Sequence, residues 1–118
     1  MIAHVVLLAP RADLSGEERA RAIETLSRAA ADVPDIRRYR IGRRVTHGLP
    51  GYEQQMRQDF EVALLLEFDD LAALRRYLTA PAHATLGHLF SSATSAALAY
   101  DYEIVDGPSA AALWTARL

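Results

Sequence analysis

Apolar and polar positions along this chain repeat with two different periods, which together predict four strands and three main helices. A period of two, typical of a β-strand, occurs in four short segments. A period of three to four, typical of an amphipathic helix, occurs between them. The predicted strands span residues 2–8, 36–46, 60–68 and 99–105, and the predicted helices span residues 16–32, 70–79 and 81–98.

Local signals mark the starts of the helices. Ser15 and Glu18 form a capping-box pattern, in which each side chain hydrogen-bonds the backbone of the other residue. Asp69 or Asp70 can cap the second helix. Pro81 fits the first turn of the third helix, because the N–H that proline lacks would be unpaired there.

The order of elements, β-α-β-β-α-α-β, predicts an α+β fold of ferredoxin-like type, with a four-stranded antiparallel sheet and helices on one face. In the third strand, Leu64 and Leu66 point to one face while Leu65 points to the other, so both faces are apolar. The helices cover one face, and the open face requires a mate. We therefore expect a homodimer in which two open sheet faces close a dimeric α/β barrel.

Composition narrows the class of protein. At 118 residues the chain fits a single domain. We expect this domain over residues 1–105 and a short apolar tail over residues 106–118. The net charge of −2, without a basic stripe, argues against a nucleic-acid partner. The absence of cysteine excludes disulfides and thiolate nucleophiles, and the absence of lysine excludes a Schiff base.

The location expected for this chain is the cytoplasm, without a membrane partner. Its N-terminus enters an apolar strand pattern directly and lacks the basic start and small-residue cleavage site of a signal peptide. The apolar runs all fall short of the roughly 20 residues that a membrane span requires.

The candidate chemistry lies between the second and third helices. Tyr77 and His83 stand six residues apart around Pro81, and His4 lies on a strand that could pass beneath them. A neutral imidazole at His83 suits a base for an acidic C–H between two carbonyls. The hydroxyl of Tyr77 could donate to the oxygen that gains charge. His4 would orient His83 or the substrate.

Structural roles compete with these functional ones. His83 could cap a helix, Tyr77 could be a core residue with a wet hydroxyl, and His4 could be satisfied by one hydrogen bond. His88 lies about 140° from His83 around a helix, so the pair does not form a metal site, and we expect no metal and no cofactor. The arginines of the second strand indicate either a charged edge that prevents pairing or a fork for an anion. They are Arg37, Arg38, Arg40, Arg43 and Arg44.

These residues resemble the stress-responsive dimeric α/β-barrel family over residues 1–105. The resemblance rests on the opening strand with His4, the third strand ending in Glu67 and Phe68, and two later segments, from Tyr77 to His83 and from Ala99 to Tyr102. The family includes polyketide cyclases of the olivetolic-acid type, which close a linear poly-β-ketone by an intramolecular aldol reaction without metal or organic cofactor. The resemblance implies that Tyr77 and His83 are the catalytic pair, with His4 in support.

The resemblance also departs from the cyclase at one position, because Val62 stands where the cyclase has a histidine. The small apolar or polyketide-like substrate would contact apolar side chains of the third strand and third helix. These predicted substrate-binding residues are Val62, Leu64, Leu66, Phe68, Leu86 and Phe90.

The leading hypothesis is therefore a cofactor-independent polyketide cyclase that uses His83, Tyr77 and His4. Two alternatives stay open. One is a non-catalytic dimer that binds a ligand or protects against stress. The other is a cofactor-free monooxygenase on the same barrel, which the lack of a tryptophan in the predicted pocket disfavours.

Overall fold

A computed structural model describes residues 1–52 and 57–115 of the chain. The elements follow the predicted order, with a short helical segment added at the C-terminal end. The strands are β1 (Ile2–Pro10), β2 (Arg38–Arg43), β3 (Val62–Phe68) and β4 (Thr94–Glu103). The helices are α1 (Gly16–Ala31), α2 (Leu71–Thr79), α3 (Pro81–Ala93) and α4 (Ala110–Thr115), the last preceded by a 3-10 turn, Gly107–Ser109.

The four strands form one sheet in the order β2-β3-β1-β4, and every neighbouring pair is antiparallel. Two connections cross over the sheet: α1 joins β1 to β2, and the pair α2–α3 joins β3 to β4. This arrangement confirms the predicted ferredoxin-like fold. It also places β1, which carries His4, beside both β3 and β4.

The core lies between the sheet and the helices. His4, Val6 and Leu8 of β1 are buried on the helix-facing side, as their shared spacing predicts. They meet the buried side chains of β3 and of the helices, and Phe68 is completely buried. Further members of this core are Leu26, Leu64, Leu66, Leu74, Tyr77 and Leu86.

The predicted caps are present. The Ser15 hydroxyl accepts a hydrogen bond from the backbone N–H of Glu18 at 3.1 Å, and the Glu18 carboxylate accepts one from the Ser15 N–H at 3.1 Å. This hydrogen bonding lowers the pKa of Glu18. Asp70, rather than Asp69, caps α2 by accepting from the N–H of Ala73 at 2.8 Å. Pro81 is the first residue of α3, as predicted.

The boundary between α3 and β4 was predicted wrongly. The helix ends at Ala93, not at residue 98, and the strand begins at Thr94, not at residue 99. Alanine-rich sequence favours helix intrinsically, but here it pairs with the central strand, so tertiary contacts override that preference. Ala96, Ala97 and Leu98 lie opposite residues of β1.

The other strand ends also differ from the predicted ones. β2 covers residues 38–43 of the predicted 36–46, and β3 begins at residue 62 rather than 60. The predicted loop over residues 47–59 contains Gly48 and Gly51 with positive φ angles, a conformation that glycine adopts without steric cost. Residues 53–56 of that prediction lie outside the described residues.

The sheet face opposite the helices is open. Tyr100 and Tyr102 on this face are 55% and 50% exposed, and Leu98 beside them is also exposed. Beyond β4, α4 contacts the preceding 3-10 turn, and Trp114 on α4 is 88% exposed. Within residues 1–52 and 57–115, none of the helices has the length and apolar character needed to cross a membrane.

Candidate active site

The rings of His4, Tyr77 and His83 lie together where the helix pair α2–α3 packs on the sheet. The centroid of the Tyr77 ring is 5.9 Å from that of His4 and 5.0 Å from that of His83, and both contacts are edge-to-face. Phe68 supports Tyr77 from the sheet, with ring centroids 5.3 Å apart. The predicted meeting of a phenol and two imidazoles is thus present, although its catalytic role stays a prediction.

Each ring is positioned by a different element. His4 lies on the helix-facing side of β1 and is 5% exposed. Tyr77 lies in the last turns of α2, which ends at Thr79, and is 3% exposed. His83 is the third residue of α3, after the tight junction at Ala80 and Pro81. Because one residue joins the two helices, the end of α2 and the start of α3 present their rings to the same space.

An aspartate that the sequence reasoning did not single out completes the cluster. Nδ1 of His4 lies 2.5 Å from Oδ1 of Asp101, and the two residues are directly opposite each other in the β1–β4 ladder. A carboxylate can only accept, so Nδ1 of His4 is assigned the proton of this contact, and Nε2 is the ring nitrogen that Asp101 leaves unoccupied. Asp101 therefore sets both the tautomer and the orientation of His4.

Burial controls the ionisation of the other two rings. It raises the pKa of Tyr77 to about 12, with a smaller contribution from Tyr39, because a phenolate is poorly stabilised there. It also lowers the pKa of His83, and the nearby His4 lowers it further, while a hydrogen bond with the Leu78 backbone acts in the opposite direction. Near neutral pH, Tyr77 is therefore a proton donor and His83 a neutral base.

The polar atoms of this cluster are not sealed in the core. Among the described residues, every fully buried side-chain nitrogen or oxygen has a hydrogen-bond partner. Neither the hydroxyl of Tyr77 nor Nε2 of His4 has one within that part of the chain, so both atoms reach accessible space. His83 is half-buried, whereas His4 and Tyr77 are buried, so a small molecule could approach the cluster from the side of His83.

The six predicted substrate-binding residues fall into two groups. Val62 and Phe90 border a cavity at the other end of the sheet. The remaining four are packed in the core, and Phe68 touches Tyr77 directly. These four are Leu64, Leu66, Phe68 and Leu86. The role of both groups in substrate binding stays a prediction.

The cavity has a volume of about 530 Å³ and lies between α1, α3 and the strands. Leu8 and Pro10 of β1 form part of its wall, whereas His4 lies at the opposite end of the same strand. Its lining includes neither Tyr77 nor a histidine. The helix-facing side of the sheet therefore holds two separate features, a ring cluster and an apolar cavity.

The remaining histidines lie outside the ring cluster. His88 is exposed on α3, and Nδ1 of His47 accepts a hydrogen bond from the N–H of Leu49 at 3.0 Å. Across residues 1–52 and 57–115, no three His, Cys, Asp or Glu side chains are grouped as a metal site would require.

Fold and site together define a ferredoxin-like α+β protein with an aromatic–imidazole cluster under a helix pair. The chain belongs to the stress-responsive A/B barrel domain (Dabb) family, whose model matches residues 2–104. That match confirms the family resemblance. A comparison with curated proteins gives no match.

Solved structures share this fold at low sequence identity. A protein from Arabidopsis thaliana has a TM-score of 0.76 and 18% identity, over 90% of this chain and 97% of its own. A hydroxynitrile lyase from Passiflora edulis has a TM-score of 0.76 and 15% identity, over 89% of this chain and 94% of its own. A dimeric protein of unknown function from Bacteroides fragilis has a TM-score of 0.63 and 26% identity, over 87% of this chain and 95% of its own.

Proposed function

We propose that the protein is a cofactor-independent enzyme that performs acid–base chemistry on a small molecule, with the aldol cyclisation of a polyketide-like chain as its reaction. The observation that carries this proposal is the position of the Tyr77 ring between two imidazoles, 5.9 Å from His4 and 5.0 Å from His83. Burial raises the pKa of Tyr77 and lowers that of His83, and two groups whose pKa values are moved apart by their environment are typical of acid–base pairs.

The reaction needs one base and one donor. His83, neutral near pH 7, removes a proton from the carbon between two carbonyls, and the electron pair moves onto a carbonyl oxygen. Tyr77 donates a hydrogen bond to that oxygen. The enolate carbon then attacks a second carbonyl of the same chain, which forms a C–C bond and an alkoxide. The proton held by His83 passes to the alkoxide, so the base is regenerated.

His4 acts as a positioning residue in this scheme. Its contact with Asp101 fixes the ring, and Nε2 is left to form a hydrogen bond with the substrate or with water. The hydroxynitrile lyase among the similar structures suggests a second substrate class for testing, because cleavage of a cyanohydrin also requires a base at a hydroxyl and a proton donor.

The test compares two histidines of the same helix. Parent protein, His83→Gln, Tyr77→Phe and the control His88→Gln are incubated with linear poly-β-ketones and with cyanohydrins, and products are followed by mass spectrometry. We expect the first two variants to lose about 100-fold or more in kcat while His88→Gln keeps parent activity. Unchanged turnover in a folded His83→Gln variant, or no conversion of either class by the parent, would contradict the proposal.

We further propose that the protein acts as a homodimer through its open sheet face. Similar structures from three bacteria are described as dimeric. In this chain, Arg38, Glu67, Ala3 and Tyr102 form one row across the open face, since each pairs with the next. This row begins with a cation on β2 and ends with an aromatic ring on β4.

The next row repeats the pattern, from Arg40 through Leu65 and Val5 to Tyr100. A twofold axis parallel to the strands lays β2 of one copy over β4 of the other, and guanidinium groups then face tyrosine rings, a favourable contact. An axis perpendicular to the strands would lay arginine over arginine. The charges of the face therefore favour the first arrangement.

Analytical ultracentrifugation tests this interface. We expect the parent protein to sediment as a dimer and Val5→Glu as a monomer. Val5 lies on β1 between Leu65 and Tyr100, so the substitution buries a charge in the middle of the interface, away from the arginines of β2. Val45→Glu, at an exposed loop position, is the matched control and keeps the dimer. A parent monomer, or a dimeric Val5→Glu variant, would contradict this arrangement.

A further inference from the structure

We propose that the cavity between α1 and α3 binds an amphipathic organic anion, such as a medium-chain carboxylate, with the anionic head on Arg43. This site is separate from the ring cluster. Leu8 borders the cavity, and the four residue-to-residue steps from His4 to Leu8 span about 13 Å along a strand. The proposal therefore does not depend on the chemistry of His83.

The interior of the cavity suits an apolar chain. Leu26, Val62, Leu89 and Phe90 supply large apolar walls. The same helices also contribute short side chains to the lining, Ala20 and Ala22 from α1 and Ala93 from α3, and their lack of bulk leaves space between the larger residues. A volume of about 530 Å³ falls within the range of cavities that hold organic ligands. An apolar chain entering this space would be removed from water, which favours binding.

The charges at the rim are balanced except at one residue. Nη1 of Arg19 donates to both carboxylate oxygens of Glu61, at 3.2 and 2.9 Å. The carboxylate of Glu24 accepts from Nη2 of Arg28 at 2.5 Å. Arg43 is the remaining charged residue of the lining, and among residues 1–52 and 57–115 no carboxylate pairs with it.

The ion pairs at the rim favour an anionic ligand over a cationic one. The carboxylates of the rim are already neutralised, so a cationic head would find no free partner there. Arg43 presents a planar guanidinium that can hold a carboxylate through two parallel hydrogen bonds. A ligand with an apolar body and one anionic end can therefore contact both the apolar walls and Arg43. A fully polar anion would make no favourable contact with the walls.

Isothermal titration calorimetry with decanoate and decanol, both below their aggregation concentrations, tests the head group. We expect the parent protein to bind decanoate more tightly than decanol. Arg43→Gln should weaken decanoate binding by about tenfold and leave decanol unchanged. Arg75→Gln is the matched control, because Arg75 is also exposed but lies on α2, outside the cavity lining, and it should leave both affinities unchanged.

A second variant tests the location of the apolar chain. Ala22→Phe should abolish binding of both compounds, because the new ring occupies the cavity, and circular dichroism confirms that the variant is folded. If it does not fold, Ala93→Leu at the end of α3 fills the same space. Across hexanoate, octanoate and decanoate, affinity should rise by up to about fourfold per CH₂.

Three results would overturn this proposal: no decanoate binding by the parent, equal decanoate affinity in parent and Arg43→Gln, or binding that survives in a folded cavity-filling variant. His83→Gln separates it from the proposed catalysis. That variant should lose turnover and keep decanoate affinity, so failure of either idea is visible without the other.

Discussion

The two ends of the helix-facing side of the sheet differ in how their space is filled, although β1 runs through both. At the His4 end, aromatic and imidazole rings occupy the space, and Tyr77 is 3% exposed. At the Leu8 end, short side chains leave about 530 Å³ open. The same scaffold therefore offers a tight polar site at one end and an apolar volume at the other.

The difference follows from the joins between elements. At the His4 end, α2 and α3 meet at a single residue, Ala80, so their termini must approach the sheet together. At the Leu8 end, α1 and α3 come from distant parts of the chain, and only their side chains decide how closely they fill the gap. Packing there can change without moving the backbone of the ring cluster.

The largest expected effect is the loss of the central ring. Tyr77→Ala should lower the free energy of unfolding by about 3 to 5 kcal/mol, because it removes a buried aromatic side chain and leaves a cavity. Urea denaturation followed by circular dichroism measures this value. Tyr52→Ala, at an exposed position, should stay within about 0.5 kcal/mol of the parent. A loss below 1 kcal/mol at Tyr77 would contradict the tight packing of this end.

Adding a large side chain should destabilise the filled end of the sheet more than the end with the cavity. Ala73→Phe places a ring in the filled core of α2, where the alanine is fully buried, and should cost about 3 kcal/mol. Ala22→Phe enters the cavity and should cost less than about 1 kcal/mol, because room for the ring already exists. Equal costs in the same denaturation experiment would show that the two ends are packed alike.

Alkaline pH should destabilise the ring cluster. The pKa of Tyr77 is raised to about 12 in the folded protein from 10.0, so folding favours the neutral phenol. The stabilisation is complete below pH 10 and is lost as pH rises through 12, by about 3 kcal/mol in total. Unfolding measured across this range should show a steeper decline for the parent than for Tyr77→Phe. Parallel declines would assign the loss to other groups.

Acidic pH should have the smallest effect on the stability of the folded protein. The pKa of His83 is lowered from 6.5, so the unfolded chain takes up this proton more readily than the folded one. The corresponding stability is present above pH 6.5 and is lost as pH falls through the pKa of the folded protein. His83→Asn should flatten this part of the profile, while His88→Asn on the same helix should leave it unchanged. The reverse pattern would be inconsistent with burial of His83.

Most of the fold could be predicted because its signals are local. The capping pattern of Ser15 and Glu18 and the proline that opens α3 need no knowledge of distant contacts, and both were predicted correctly. The start of β4 could not be predicted in the same way. Its alanines have no local preference for a strand, and only pairing with β1 selects one.

In the candidate site, too, local contacts could be predicted and long-range contacts could not. Tyr77 and His83 flank a helix junction, so their closeness could be expected from spacing alone. The pairing of His4 with Asp101 joins residues 97 positions apart and depends on the register between β1 and β4. A shift of one residue would turn Asp101 to the open face. Of the predicted substrate-binding residues only Val62 and Phe90 border the cavity, because its shape depends on side-chain sizes on elements distant in sequence.

The position of Trp114 has a practical consequence for spectroscopy. It is the only tryptophan of the chain, and it stands 88% exposed on the short terminal helix. Its fluorescence therefore reports the surroundings of that helix and stays nearly constant while the core melts. A blue shift of its emission, or protection from a soluble quencher, would instead reveal that the C-terminal segment has come to rest against another surface.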